Sequence, residues 1–164
     1  MTRLYALCLW LALALPILAQ KPHEFCVACH SEQVGDFQTH PHFQKALSCD
    51  ACHGPSVKHR TSTGAVAPDR VAAPDEVPAL CGTCHVAQRK EYEGSKHGKL
   101  VLAQSKTRAA NCVTCHGTHS LRTAPQREQQ CQKCHASLPA SHPATAASGS
   151  CFTCHAKHTL AAKK

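Results

Sequence analysis

Large apolar side chains are scarce in this chain. Its 164 residues carry one Trp, two Tyr and four Phe. Trp10 and Tyr5 fall within the first twenty residues, so Phe25, Phe37, Phe43, Tyr92 and Phe152 are all that remain for the rest. Leu, Ile and Val thin out after residue 20, and Ala dominates the apolar count. Such a chain buries too little side-chain surface to offset the entropy lost on folding, which excludes a conventional side-chain core. Disulfides, a metal or a bulky cofactor must hold it. Methionine is nearly absent as well, Met1 being the only one. A long apolar run is also missing. The longest, Leu4 to Leu18, falls short of the about 20 residues that a membrane span needs.

That apolar run follows Arg3 and ends in "ILAQ", with the small Ala19 at a cleavage position. Residues 1–19 therefore read as a secretory signal peptide, and 20–164 as the exported chain. An uncleaved anchor is the alternative.

Cysteine and histidine are abundant, at 13 and 14 residues. Cys8 lies inside the apolar run. The other cysteines form six CxxC pairs: Cys26 and Cys29, Cys49 and Cys52, Cys81 and Cys84, Cys112 and Cys115, Cys131 and Cys134, Cys151 and Cys154. A histidine follows each pair at once: His30, His53, His85, His116, His135 and His155. Zinc sites and disulfide frameworks also use paired cysteines, but neither needs a histidine fixed beside the second one. Covalent c-type haem needs all three residues: two thiols bond the porphyrin and the adjacent imidazole goes to the iron. Six units imply six c-type haems, roughly 24 residues for each. The porphyrins then form the apolar interior, and folding is coupled to their attachment.

Each iron needs a second axial ligand, and Met1 removes methionine from the candidates. The remaining histidines are His23, His40, His42, His59, His97, His119, His142 and His158. They follow a threefold repeat. Each copy has two CxxCH units, one His between them and one soon after the second. Repeat 1 spans about 23–59, repeat 2 about 81–119 and repeat 3 about 131–158. The expected distal ligands are His42, His59, His97, His119, His142 and His158. His42 and His97 each stand twelve residues after the preceding CxxCH histidine, and Phe37 and Tyr92 stand five before them. His142 follows His135 by only seven. The trailing histidines sit in "CHGTH" and "CHAKH", with a longer "CHGPSVKH" in repeat 1. His40 rivals His42, and the sequence leaves the pairing of distal histidines with irons open. One constraint is firm: His119 is too close to His116 to reach the opposite face of the same porphyrin, so it must serve a neighbouring haem.

The segments "FQTHPHFQKALSCDACHGPSVKH" and "YEGSKHGKL…NCVTCHGTH" resemble the doubled-CxxCH class of multihaem c-type cytochromes, which includes periplasmic pentahaem and decahaem electron-transfer proteins. The resemblance implies a multihaem cytochrome c fold with little regular secondary structure, short α-helices at the CxxCH units and a haem-packed core. It also implies bis-histidine, low-potential haems in a near-linear or zigzag array. The expected partners are redox proteins: a quinol-linked or periplasmic donor, and a terminal reductase or outer-membrane conduit. Closed axial positions point to electron transfer rather than enzymatic reduction. A reductase with one open iron and a haem-stacked conductive filament are the alternatives. The expected location is the periplasm, with no stable membrane insertion after signal cleavage; an extracellular site is the alternative.

The formal charge of +8 suggests polyanion binding, but ionised haem propionates offset it, so no nucleic-acid partner is expected. Residues 60–80 have three Pro and neither Cys nor His, and read as a linker and expected hinge.

Overall fold

The computed structural model describes residues 24–104, 108–142 and 150–163. The expected signal peptide, Cys8 and His23 lie outside the described residues. Within them the chain forms eleven short helices and no strand beyond one isolated bridge, between His155 and Ala162. None of these helices is long and apolar enough to cross a membrane.

Six helices begin, contain or end a CxxCH unit: α1 (Glu24–Val27), α4 (Cys49–His53), α6 (Val77–Gly82), α9 (Cys112–His116), α10 (Ala124–Cys134) and α11 (Cys151–Cys154). Five more lie between them: α2 (Ser31–Gln38), α3 (Pro41–Gln44), α5 (Val57–Thr61), α7 (Val86–Gly94) and α8 (Lys96–Ala103). The short helices start where the sequence supplies caps. Asn111 accepts from the Thr114 amide and Thr114 returns the bond, closing a capping box on α9. Thr123 and Gln126 do the same for α10. Ser95 caps α8 by accepting from the Gly98 amide at 2.9 Å.

A short helix stands at each CxxCH unit, as expected; in the first units of repeats 1 and 2 it stops before the second cysteine, α1 at Val27 and α6 at Gly82. Cys29 and Cys84 stand on the turn that follows. Their amides reach back three residues, to the Cys26 carbonyl at 3.2 Å and the Cys81 carbonyl at 3.3 Å. That is the tightened last turn in which a helix end satisfies its orphan carbonyls.

The threefold repeat is visible in the backbone. In the first unit of every repeat the CxxCH histidine leaves the helical region in the same way: φ/ψ is −121/45 at His30, −95/55 at His85 and −106/51 at His135. In repeats 1 and 2 a new helix, α2 or α7, starts immediately afterwards. The second unit of those repeats ends on a glycine at positive φ, Gly54 at 73° and Gly117 at 88°. That conformation costs a side-chain-bearing residue about 1–2 kcal/mol, and it turns the chain back toward the trailing histidine. Repeat 3 has Ala156 at this place, and His155 is instead extended (φ −104°, ψ 139°).

Protein atoms supply only a thin core. Val34, Val77, Pro78, Tyr92 and Val101 are the buried apolar side chains among the described residues. Four of them lie on α6, α7 and α8, the best-packed helices, and the Tyr92 hydroxyl donates to the Ala110 carbonyl at 2.8 Å.

The segment expected as a hinge is tied down. The Ser56 amide donates to Asp69 Oδ2 at 2.7 Å, and the Asp69 amide donates to Ser56 Oγ at 3.1 Å. The Arg70 amide donates to the His53 carbonyl at 3.2 Å, and Asn111 Nδ2 donates to the Pro74 carbonyl at 3.2 Å. Residues 62–76 are free of helix, while Arg60 and Thr61 end α5 and Val77 to Leu80 begin α6; hydrogen bonds tie the stretch back to repeat 1 and to Asn111 of repeat 2.

Candidate metal centres

Twelve imidazoles meet as six facing pairs. The ring centres lie 6.1 Å apart for His30 and His59, 5.9 Å for His42 and His85, and 6.1 Å for His53 and His119. They lie 6.0 Å apart for His97 and His135, 6.3 Å for His116 and His158, and 6.2 Å for His142 and His155. Every pair joins one CxxCH histidine to one histidine from outside the motifs. The separations fall in a narrow range with a chemical meaning. A first-row metal binds an imidazole nitrogen at about 2.0 Å, and with the ring centre about 1.1 Å behind that nitrogen, two rings on opposite sides of one ion stand about 6 Å apart.

His40 does not have this arrangement. Its ring centre is 4.7 Å from that of His42, too close for an ion between them. It is buried, stacks on Phe37 at 5.6 Å, and its Nδ1 accepts the His42 amide at 3.1 Å as the N-cap of α3. His42, and not His40, faces a CxxCH histidine.

The pairs also follow a rule across the repeats. The histidine between the two units of one repeat faces the first CxxCH histidine of the next repeat: His42 faces His85, and His97 faces His135. The trailing histidine faces the second CxxCH histidine of the preceding repeat: His119 faces His53, and His158 faces His116. The two outermost pairs close within one repeat, as His30 with His59 and His142 with His155. The irregular spacings of the sequence fall on those two, the long "CHGPSVKH" and the short step from His135 to His142.

The thiols keep the same order. Within each repeat the first cysteines of the two units adjoin: Cys26 with Cys49, Cys81 with Cys112, and Cys131 with Cys151. Across the joints Cys52 neighbours Cys81 and, more weakly, Cys84, and Cys115 neighbours Cys131. The contacts show in the acidities. Burial and then the Cys26 thiol raise Cys49 to about 11, and a hydrogen bond with Cys112 lowers Cys81 to about 7. None of these twelve cysteines is joined to another in a disulfide.

First and second cysteines differ in exposure. The first of each pair is half-buried, while Cys29, Cys52, Cys84, Cys134 and Cys154 are exposed; Cys115 alone among the second cysteines is half-buried. The Thr83 hydroxyl lies 3.9 Å from Cys84 Sγ and donates to the Leu80 carbonyl at 2.8 Å. No group of three or more Cys, His, Asp or Glu among the described residues is placed to hold a metal ion, as a zinc ribbon requires.

Several imidazoles are oriented by their other ring nitrogen. Nδ1 of His53 meets the Arg70 carbonyl at 3.0 Å, that of His59 the Val66 carbonyl at 2.7 Å, and that of His155 the Leu160 carbonyl at 2.9 Å. Nδ1 of His158 meets a carboxylate oxygen, Glu91 Oε2, at 3.2 Å. Each contact fixes the tautomer with Nδ1 protonated and leaves Nε2 for a metal. Burial, followed by the opposed imidazole, lowers His42, His97 and His119 below the usual histidine range. Burial and then Arg127 lower His116. These rings stay neutral, the state in which imidazole binds a metal.

The cytochrome c3 family pattern matches residues 41–136, more than half of the chain. The chain belongs to the cytochrome c3 family. It is a multihaem c-type cytochrome, an electron-transfer protein with covalently bound haem iron. It is also 27% identical over 124 residues to the multiheme cytochrome MtrA of Shewanella baltica (strain OS185), covering 72% of this chain and 33% of that relative. The chain thus spans about a third of the relative's length. No solved structure matches it. Within this cytochrome c3 framework the sequence had not singled out the Glu91 carboxylate. The signal for it was an acidic residue directly before the aromatic that precedes the between-unit histidine: Asp36 before Phe37, and Glu91 before Tyr92.

Proposed function

We propose that this chain is an exported, periplasmic hexahaem cytochrome that carries electrons between redox partners through six bis-histidine irons. The single observation that carries the reading is the set of six imidazole pairs at 5.9–6.3 Å, one for each CxxCH unit. Haem supplies a one-electron Fe(III)/Fe(II) couple when bound, tuned by its ligands and surroundings.

The chain's own residues do the rest. Cys26 and Cys29 anchor one porphyrin, Cys81 and Cys84 another, and the equivalent pair in each other unit does the same. His30, His53, His85, His116, His135 and His155 would each hold one iron, and His59, His119, His42, His158, His97 and His142, in that order, would hold the same irons from the other side. With a histidine on each side, these residues would exclude an oxygen or nitrite substrate from the iron. That favours electron transfer over a reductase. All six pairs are made within one chain, so no ligand from a second subunit is needed, and this weighs against a filament built by ligand donation. The adjoining thiols support a haem order that follows the sequence, with the unit of Cys26 and Cys29 at one end and that of Cys151 and Cys154 at the other. Electrons then enter and leave at the ends, where redox partners dock. MtrA-like relatedness supports such partners, a donor at one end and a reductase or conduit at the other.

The intact mass of the exported protein tests this reading. The expected value is the chain from Gln20 plus six haems. Fewer haems, or zinc in their place, would end it.

A further inference from the structure

Two acidic residues occupy the same place in repeats 1 and 2. "CHSEQVGDF" (residues 29–37) and "CHVAQRKEY" (84–92) align without a gap. Asp36 stands six residues after His30, and Glu91 six residues after His85. Both lie on the helix that follows the first CxxCH unit, α2 and α7.

Both face an imidazole that arrives from the next repeat. Glu91 Oε2 is 3.2 Å from Nδ1 of His158, a residue 67 positions away, whose ring opposes His116. Arg89, on the same helix as Glu91, is engaged by Glu93 at 2.6 Å. Asp36 lines one cavity together with His119, whose ring opposes His53. Repeat 3 provides the internal contrast. Its sixth position after His135 is Ser141, in "CHASLPASH". The acid is present in repeats 1 and 2, where a histidine comes in from the next repeat, and is replaced by a neutral serine in repeat 3.

We propose that Asp36 and Glu91 are tuning residues for two of the irons, those bound by His53 with His119 and by His116 with His158. This rests on the bis-histidine reading above. A carboxylate that accepts from, or lies beside, the Nδ1–H of an axial imidazole makes the ring a stronger donor to the metal. The ferric state gains more from this than the ferrous state, so the potential of that iron falls. In the two outermost pairs, His59 and His155 are oriented by backbone carbonyls instead, which are neutral. The two acids therefore set the second haem of repeats 1 and 2 below the haems at the ends of the array. Glu91 is more than half exposed, so its effect weakens as ionic strength rises.

The test uses the haem-loaded full chain and its E91Q, D36N and double variants, in spectroelectrochemical titration and low-temperature EPR. Glutamine and asparagine keep a hydrogen-bond acceptor and lose the charge. E91Q is expected to raise one midpoint potential and shift one low-spin signal, D36N a different one, and the double variant both. In an H158A background, E91Q changes none of the remaining five bis-histidine haems. Unchanged potentials in both single variants overturn the inference. So does a high-spin haem in E91Q, which would make Glu91 a prop for the ligand rather than a tuner of the iron. A wild-type protein without six low-spin haems refutes the bis-histidine reading instead, before any variant is made.

Discussion

His40 shows how a residue type can mislead about its role. In "THPH" it stands two positions from His42, and composition alone makes the two equivalent. The structure separates them by their partners: His42 faces His85, while His40 turns Nδ1 to the His42 amide and caps the four-residue α3. Pro41 at the first helical position has no amide to satisfy, so the cap bond goes to the next residue. His40 thus caps the helix that carries His42, and on the proposed reading it leaves the metal to His42. The expected result for H40A is a loss of about 1 kcal/mol of stability with all six haems low-spin, and H40N, which can cap, recovers most of it. Thermal melting followed by EPR checks this. A high-spin haem in H40A, absent from H40N, makes His40 a ligand after all.

Facing imidazole pairs bridge the joints between the repeats. Two facing pairs link repeat 1 to repeat 2, through His42 with His85 and His53 with His119. Two more link repeat 2 to repeat 3, through His97 with His135 and His116 with His158. The pairs of His59 and His142 stay within their own repeats. Two double variants are therefore matched in chemistry and differ in consequence. H97A/H158A and H59A/H142A each open two irons, but only the first removes both ties between repeats 2 and 3. The expected outcome is faster limited proteolysis around residues 117–130 and a larger radius of gyration in H97A/H158A, with H59A/H142A close to wild type. Equal loosening in both would refute the joints as ligand-held.

Much of this was legible in the sequence for a physical reason. Covalent attachment needs two thiols and an imidazole in fixed local order, so the six CxxCH units stand out without any tertiary information. The repeat, the six candidate distal histidines and the bar on His119 binding beside His116 also follow from short-range spacing. The direction of ligand exchange does not, because it joins residues far apart in the chain, such as His53 and His119, whose meeting depends on how three repeats dock. Helix ends were equally hidden: nothing in "CGTCH" shows that α6 stops at Gly82 and leaves Cys84 on a turn, while "CVTCH" stays helical throughout. The anchoring of residues 62–76 escaped likewise. Its prolines and alanines read as a linker, and the bonds that hold it come from Ser56, His53 and Asn111.

At the scale of the whole molecule, the buried apolar side chains are too few to hold the described residues in place. On the proposed reading the haems are the missing core. Each porphyrin would contribute apolar surface where the polypeptide has little, and each iron held by two histidines would close a loop of chain, coupling cofactor attachment to folding. The same arrangement would serve function: an iron held on both sides would change oxidation state without changing ligands, and an array in chain order would fix the distances between successive carriers. The basic excess of the polypeptide fits this picture, since propionates need cations near them; Arg122 and Arg127 stand beside Cys115, where they oppose the rise that burial causes in its thiol acidity constant.

The central claim is that every CxxCH unit is matched by one distal histidine of the same chain. Spin-integrated EPR of the fully oxidised protein measures this directly. The account predicts six low-spin ferric haems per chain and no high-spin signal near full occupancy of any site. One high-spin ferric haem per chain would contradict it, leaving an open iron where an imidazole pair should be.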